Sequence, residues 1–181
     1  MRNPFVVVFA VTVLLSKSQA GTCREVLRDC SGRIVQTIDR QVSSDGTVRA
    51  VIRDSSGRTI GTSVSRTTSG GGCNTIYRDS SGRLTGTASS NGPGSGASQT
   101  TYRDASGRLS STASTRKSGE TTSRTEFRDA SGRLTGSTTC SGGSSGAKSC
   151  VTRDASGRLT GTGSSTGKCK PGGITPAGPL K

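Results

Sequence analysis

Histidine is missing from this sequence altogether, and tryptophan with it. Without imidazole, no side chain has an ordinary pKa suited to proton transfer near neutrality. Carboxylates are scarce too, with 11 Asp and Glu against 25 Lys and Arg. The prominent Asp residues recur periodically, whereas a catalytic centre needs one asymmetric constellation. No CxxC spacing occurs, and each periodic Asp is flanked by Arg without the Asp-x-Asp clusters of calcium-binding rolls. These absences point away from an enzyme, a metal site and a cofactor.

Apolar residues are also few, at 27% of the chain, with only two Tyr and three Phe. Many chains this poor in apolar surface cannot offset the entropy of ordering and stay disordered. One long apolar run exists, from Phe5 to Leu15, and it is too short to cross a bilayer. Arg2 precedes it and Ser18-Gln19-Ala20 follows, ending in a small residue. The segment 1–20 therefore reads as a signal peptide. Thr22 before Cys23 does not fit a lipoprotein box. The expected mature chain starts at Gly21 and is secreted, periplasmic or held at the cell surface.

Against these absences stands a strict period. The pair Arg-Asp occurs at 28–29, 53–54, 78–79, 103–104, 128–129 and 153–154, each step being 25 residues with no insertion. Constant spacing, with apolar residues at fixed phases, argues for order over disorder. The position before each pair holds Leu27, Ile52, Tyr77, Tyr102, Phe127 and Thr152. The sixth position after the first Arg holds Ile34, Thr59, Leu84, Leu109, Leu134 and Leu159, with Ile60 next to Thr59 as a slipped apolar residue. Between these phases lies Asp-x-Ser-Gly, whose Asp and Ser favour turns and whose Gly accepts the left-handed conformation.

Each period thus predicts one β-hairpin, and nothing in it has helical periodicity. Two registers fit. A four-residue loop, Asp79 to Gly82, places Tyr77 opposite Leu84 so that both are buried together. A three-residue loop with a Gly bulge places Asp79 opposite Arg83 and moves Tyr77 to a diagonal of Leu84. The first is preferred, since it gives each repeat its one sizeable apolar pair. The expected fold is all-β, with six tandem hairpin repeats over 21–170 forming a spiral sheet, a solenoid or a closed ring. Segments such as 89–99 and 114–123 read as mobile loops or weak strands, and the Pro/Gly-rich tail 171–181 reads as disordered.

Six cysteines, Cys23, Cys30, Cys73, Cys140, Cys150 and Cys169, make an even number in an exported chain and are disulfide candidates. Cys140 and Cys150 flank a Ser/Gly linker and form the best single pair. Cys23 and Cys73 share a phase two repeats apart, which stacking places on one edge.

The core Tyr77-Arg78-Asp79-Ser80-Ser81-Gly82-Arg83-Leu84-Thr85 resembles the Tyr-Asp-x-x-Gly-Arg-Leu-Thr hairpin of YD (Rhs-type) repeats, and is comparable to small β-flower repeats. The likeness covers about nine residues of each 25, with an extra Arg between the aromatic residue and the Asp. It implies hairpin geometry and a secreted or surface role, and carries over no active residue.

Net charge is +14; without Arg2 and Lys17 there remain 23 basic and 11 acidic residues, or +12. The repeats supply two Arg and one Asp each, so Arg28, Arg33, Arg53, Arg58, Arg78, Arg83, Arg103, Arg108, Arg128, Arg133, Arg153 and Arg158 form two candidate anion-binding rows. The expected function is a non-catalytic structural or adhesive module whose partner is a protein or an anionic surface polymer. The alternative is a basic polyanion-binding protein for DNA or acidic glycan. Nucleic acid is the less favoured ligand, since stacking would call on Tyr77, Tyr102 and Phe127, which the core needs. A regular Thr array on Thr85-Gly86-Thr87 and Thr160-Gly161-Thr162, of the ice-binding kind, is broken at Ser110-Ser111-Thr112 and Thr135-Gly136-Ser137.

Overall fold

The computed structural model describes residues 12–13, 21–92, 97–142, 147–167 and 172–173, all of them in strands, turns and short connections, with no helix among them. Strand β1 (Thr12–Val13) pairs only with β14 (Gly172–Gly173). The remaining residues of 1–20 and of the 171–181 tail, with the signal-peptide and tail expectations that fall on them, lie outside the described residues, as does Cys169.

Twelve strands make up the rest: β2 (Gly21–Asp29), β3 (Ile34–Val42), β4 (Val48–Asp54), β5 (Thr59–Thr67), β6 (Cys73–Asp79), β7 (Leu84–Ser90), β8 (Ala97–Asp104), β9 (Leu109–Lys117), β10 (Thr122–Asp129), β11 (Leu134–Gly142), β12 (Lys148–Asp154) and β13 (Leu159–Gly167). Each pairs antiparallel with its neighbours in the chain. Strand β13 then pairs with β2, from Gly161 opposite Asp29 to Gly167 opposite Cys23, and the sheet closes into a barrel. Closure leaves this twelve-stranded sheet no free edge strand. Of the segments expected to be mobile loops or weak strands, 89–90 and 97–99 belong to β7 and β8, and 114–117 and 122–123 belong to β9 and β10, while 93–96 lie outside the described residues.

Burial alternates along the strands, one face in and one out, as in Cys73 to Tyr77 of β6. The inward face carries Leu27, Ile38, Ile52, Tyr77 and Tyr102 among small residues such as Ala50, Ala88 and Ala113. Much of the remainder is hydroxyl. Directly opposed inner residues bond to each other: Ser65 Oγ and Thr75 Oγ1 at 2.8 Å, Thr115 and Thr125 at 2.8 Å, Thr138 and Thr152 at 2.9 Å. A buried hydroxyl is costly only when unpaired, so cross-strand pairing lets a Ser/Thr-rich chain form an interior despite few apolar residues.

The hairpin register corrects the preferred expectation. Asp79 N–H donates to Arg83 O at 2.9 Å and Gly82 N–H to Asp79 O at 3.1 Å, with Gly82 at φ +81°. This is the three-residue loop with a Gly bulge, and it recurs at all six turns. A second irregularity follows at once, since Arg78 stands opposite Leu84 while Tyr77 stands opposite Gly86, leaving Thr85 bulged. Opposed residues share a face. Leu84 is therefore placed outside with Arg78 and is 41% exposed, while Tyr77 is buried inside at 7%. The buried Tyr77–Leu84 pair does not form, and Ile34, Leu109 and Leu159 are likewise exposed.

Gly86 faces Tyr77 on the inside for a steric reason. A Cβ there would lie 2.5 Å from the carbonyl oxygen of Arg103 on the neighbouring hairpin, and the equivalent Arg carbonyl would lie 2.5–2.7 Å from a Cβ at Gly61, Gly136 and Gly161. The equivalent positions of the first and fourth hairpins hold Gln36 and Ser111. The Thr-Gly-Thr tracts are thus explained by close packing of successive hairpins.

Cys140 and Cys150 face each other across β11 and β12 with Cα atoms 4.1 Å apart and form a disulfide. Cys23 is also disulfide-bonded. Cys30 and Cys73 are free thiols, so neither the Cys23–Cys73 pairing nor bridging of all six cysteines holds. Cys30 is exposed at its turn, and Cys73 lies on the inner face of β6, where burial raises its pKa.

Candidate functional site: an arginine rim

The Arg-Asp-x-Ser-Gly-Arg turns join β2 to β3, β4 to β5, β6 to β7, β8 to β9, β10 to β11 and β12 to β13. In a closed meander, alternate connections lie at one end, so all six surround a single mouth of the barrel. Strands stand about 4.8 Å apart, which separates successive turns along the rim by about 10 Å. Two Arg and one Asp per turn give this rim twelve guanidinium groups and six carboxylates, a net +6. The two sequence rows of arginines are thereby brought together as a ring.

Each Asp is committed to its own turn. Asp104 Oδ1 accepts from Ser106 N–H at 2.9 Å, Ser106 Oγ at 2.7 Å and Arg108 N–H at 2.9 Å. The same three bonds occur at Asp29, Asp54, Asp129 and Asp154. The serine hydroxyl bond foremost holds these five carboxyls below their ordinary pKa. No ion pair joins a turn Asp to a turn Arg among the described residues.

The two arginines of a turn differ. Arg28, Arg53, Arg78, Arg103, Arg128 and Arg153 each donate from Nη1 to the carbonyl of the turn glycine, at 2.8–3.2 Å. This bond orients the guanidinium along the outer edge of the rim. Arg53 also approaches Asp39 at 3.7 Å, and Arg128 lies 4.0 Å from Glu126. Arg33, Arg58, Arg83, Arg108, Arg133 and Arg158 are exposed, and their guanidinium groups make no hydrogen bond or ion pair among the described residues. The ring thus combines six oriented cations with six uncommitted ones.

Beside it, between the β6–β7 and β8–β9 hairpins, opens a cavity of about 850 Å³. Ile60, Tyr77, Leu84, Tyr102, Arg103 and Asp104 are among its lining residues. The aromatic residues offer no stacking platform to single-stranded nucleic acid, since Tyr77 and Tyr102 are 7% and 3% exposed and Phe127 is half-buried. Burial pushes the Tyr102 phenol well above its usual pKa.

Sequence periodicity did not single out one further group. Glu25 of β2 and Arg40 of β3 form a buried ion pair at 3.1 Å on the inner face, and Lys148 has its pKa lowered by burial there, with Glu25 acting against that shift. These residues occur once each and sit at no repeated phase. The inward alternation of their strands was the one available sign. Comparison with family models, curated proteins and solved structures finds no match to the chain.

Proposed function

We propose that this protein is an exported, non-catalytic interaction module that docks by its arginine rim onto a polyanionic polymer of the cell surface, an acidic glycan above all. One observation carries this reading: each of the rim's six carboxylates spends Oδ1 on its own turn, while eleven of its twelve arginines are exposed and Arg53 is half-exposed. A ring of guanidinium groups about 10 Å apart matches the repeating charge of a sulfated or carboxylated chain. The structural role follows from the same geometry, since a closed barrel presents the ring without moving parts.

The test is chromatography of the mature protein on heparin across a salt gradient, beside variants with Arg83, Arg108 and Arg133 changed to Gln. Retention to well above physiological salt is expected, with earlier elution for the triple variant. Elution of the parent protein in low salt would sink the reading. A duplex-DNA column run in parallel distinguishes the glycan from nucleic acid, and stronger retention on DNA would favour the latter.

A further inference from the structure

We infer that the cavity between the β6–β7 and β8–β9 hairpins is a saccharide site that takes one sugar ring of the acidic chain held by the rim; the inference rests on the glycan form of the function proposed above. The six turns repeat, but the clefts between them are not alike. This one alone is bordered by both tyrosines of the chain, and also by Ile60, an apolar residue at the position held by Val35 in the first hairpin and by Thr85, Ser110, Thr135 and Thr160 in the others. Two successive tyrosines at the same phase single out one cleft of the repeated ring, as a single ligand site requires.

The lining has the chemistry of sugar recognition. Ile60 and Leu84 offer apolar surface, Leu84 being among the exposed large apolar residues. A pyranose ring presents C–H groups on its faces and hydroxyls on its edge, and so suits a wall that is apolar with polar groups at its margin. Asp79 and Asp104 stand at that margin. Each spends Oδ1 on its own turn, and Oδ2 of each remains to accept from a sugar hydroxyl. Arg103 spends Nη1 on the Gly107 carbonyl at 2.9 Å and retains Nη2 and Nε for an acidic substituent. Acceptors and donors together match a ring bearing both hydroxyls and a carboxylate. The volume of about 850 Å³ accommodates one or two such rings.

The chain supplies its own reporter. It has no tryptophan and only two tyrosines, and both line the cavity. Tyrosine fluorescence of the mature protein should therefore change saturably on titration with a tetrasaccharide of alternating uronic acid and amino sugar. Ile60→Thr, which installs the residue of the third, fifth and sixth hairpins, and Leu84→Ala should each weaken that binding about tenfold, corresponding to about 1.4 kcal/mol. Arg103→Gln should weaken binding of the acidic sugar while a neutral tetrasaccharide is unaffected. Circular dichroism of each variant, unchanged from the parent, certifies the fold. The inference is overturned by a fluorescence response that does not saturate, by inorganic sulfate producing the same response, or by Ile60→Thr and Leu84→Ala both binding as the parent does. If the cavity fails while salt-resistant retention on heparin persists, the rim reading survives alone; loss of retention removes the rim reading itself.

Discussion

Two glycines in one hairpin do different work. Gly82 sits at φ +81° with open space around it, so the constraint there is backbone conformation. Gly86 has an ordinary backbone but meets the Arg103 carbonyl at 2.5 Å, so the constraint is the neighbouring strand. Gly82→Ala should cost about 1–2 kcal/mol for a left-handed Ala. Gly86→Ala should cost about 1–3 kcal/mol for overpacking against backbone. Denaturant unfolding of the two variants reads both figures, and a neutral Gly86→Ala would mean that successive hairpins can separate enough to admit a methyl group. The turn carboxyls add a pH dependence. Asp29, Asp54, Asp104, Asp129 and Asp154 have folded pKa values below the unfolded one, near 3.9, so the unfolded state binds protons first as pH falls. Their stabilisation is fully present above that value and is lost as pH drops through the folded pKa. With no histidine to titrate, thermal midpoints should stay level from about pH 5 to 8 and fall below about pH 4. A midpoint that rises on acidification would show that the Asp bonds do not form.

At the scale of the hairpin, the element was legible in the sequence and its register was not. Asp-x-Ser-Gly is a turn signal that specifies its own geometry, which is why all six turns lie where the period places them. The bulge at Thr85 leaves no mark in composition, yet it shifts the following residue by one and reverses the face. The turn geometry therefore overrides the apolar pair and leaves Leu84 on the outer face. The Gly at position 86 was the available clue, because a large inner Tyr77 opposite Gly86 packs where Tyr77 opposite Leu84 does not. The inner hydroxyl pairs, such as Thr138 with Thr152, were unreadable for a related reason, since pairing depends on a register between strands from different repeats. Substitution separates the two registers directly. Tyr77→Ala should destabilise by about 3–5 kcal/mol as a cavity in the core, whereas Leu84→Ser should remain within about 0.5 kcal/mol as a surface change. Equal losses at the two positions would restore the buried pair and discard the bulged register.

Closure makes the molecule more than six hairpins in a row, because a lone hairpin is marginal in water and an open array exposes two edges. The seam carries no special device in its backbone: β13 and β2 pair in seven register positions, as do β5 with β6 and β11 with β12. The charge ring depends on that closure. Opened, the six turns would lie along one edge of a twisted sheet; closed, they surround one mouth and act on one partner together. An ordinary seam implies that the chain termini could be placed elsewhere. A circular permutant joining Lys181 to Gly21 through a short Gly/Ser linker, so that every cysteine is kept, with new ends between Gly70 and Gly71, cuts only an exposed connection at the mouth opposite the arginines. It should fold cooperatively, with a midpoint within about 5 °C of the parent, since a loss of about 1 kcal/mol moves a chain of this size by about 2–4 °C. It should also elute from heparin at the parent's salt concentration, because every turn Arg keeps its place. Cutting instead between Ser80 and Ser81 opens one of the six turns themselves, and there the retention should drop although the seam is intact. A permutant at Gly70 that unfolds, or elutes early with its β-sheet spectrum preserved, would show that the β13–β2 junction holds the rim in a way its ordinary register does not explain.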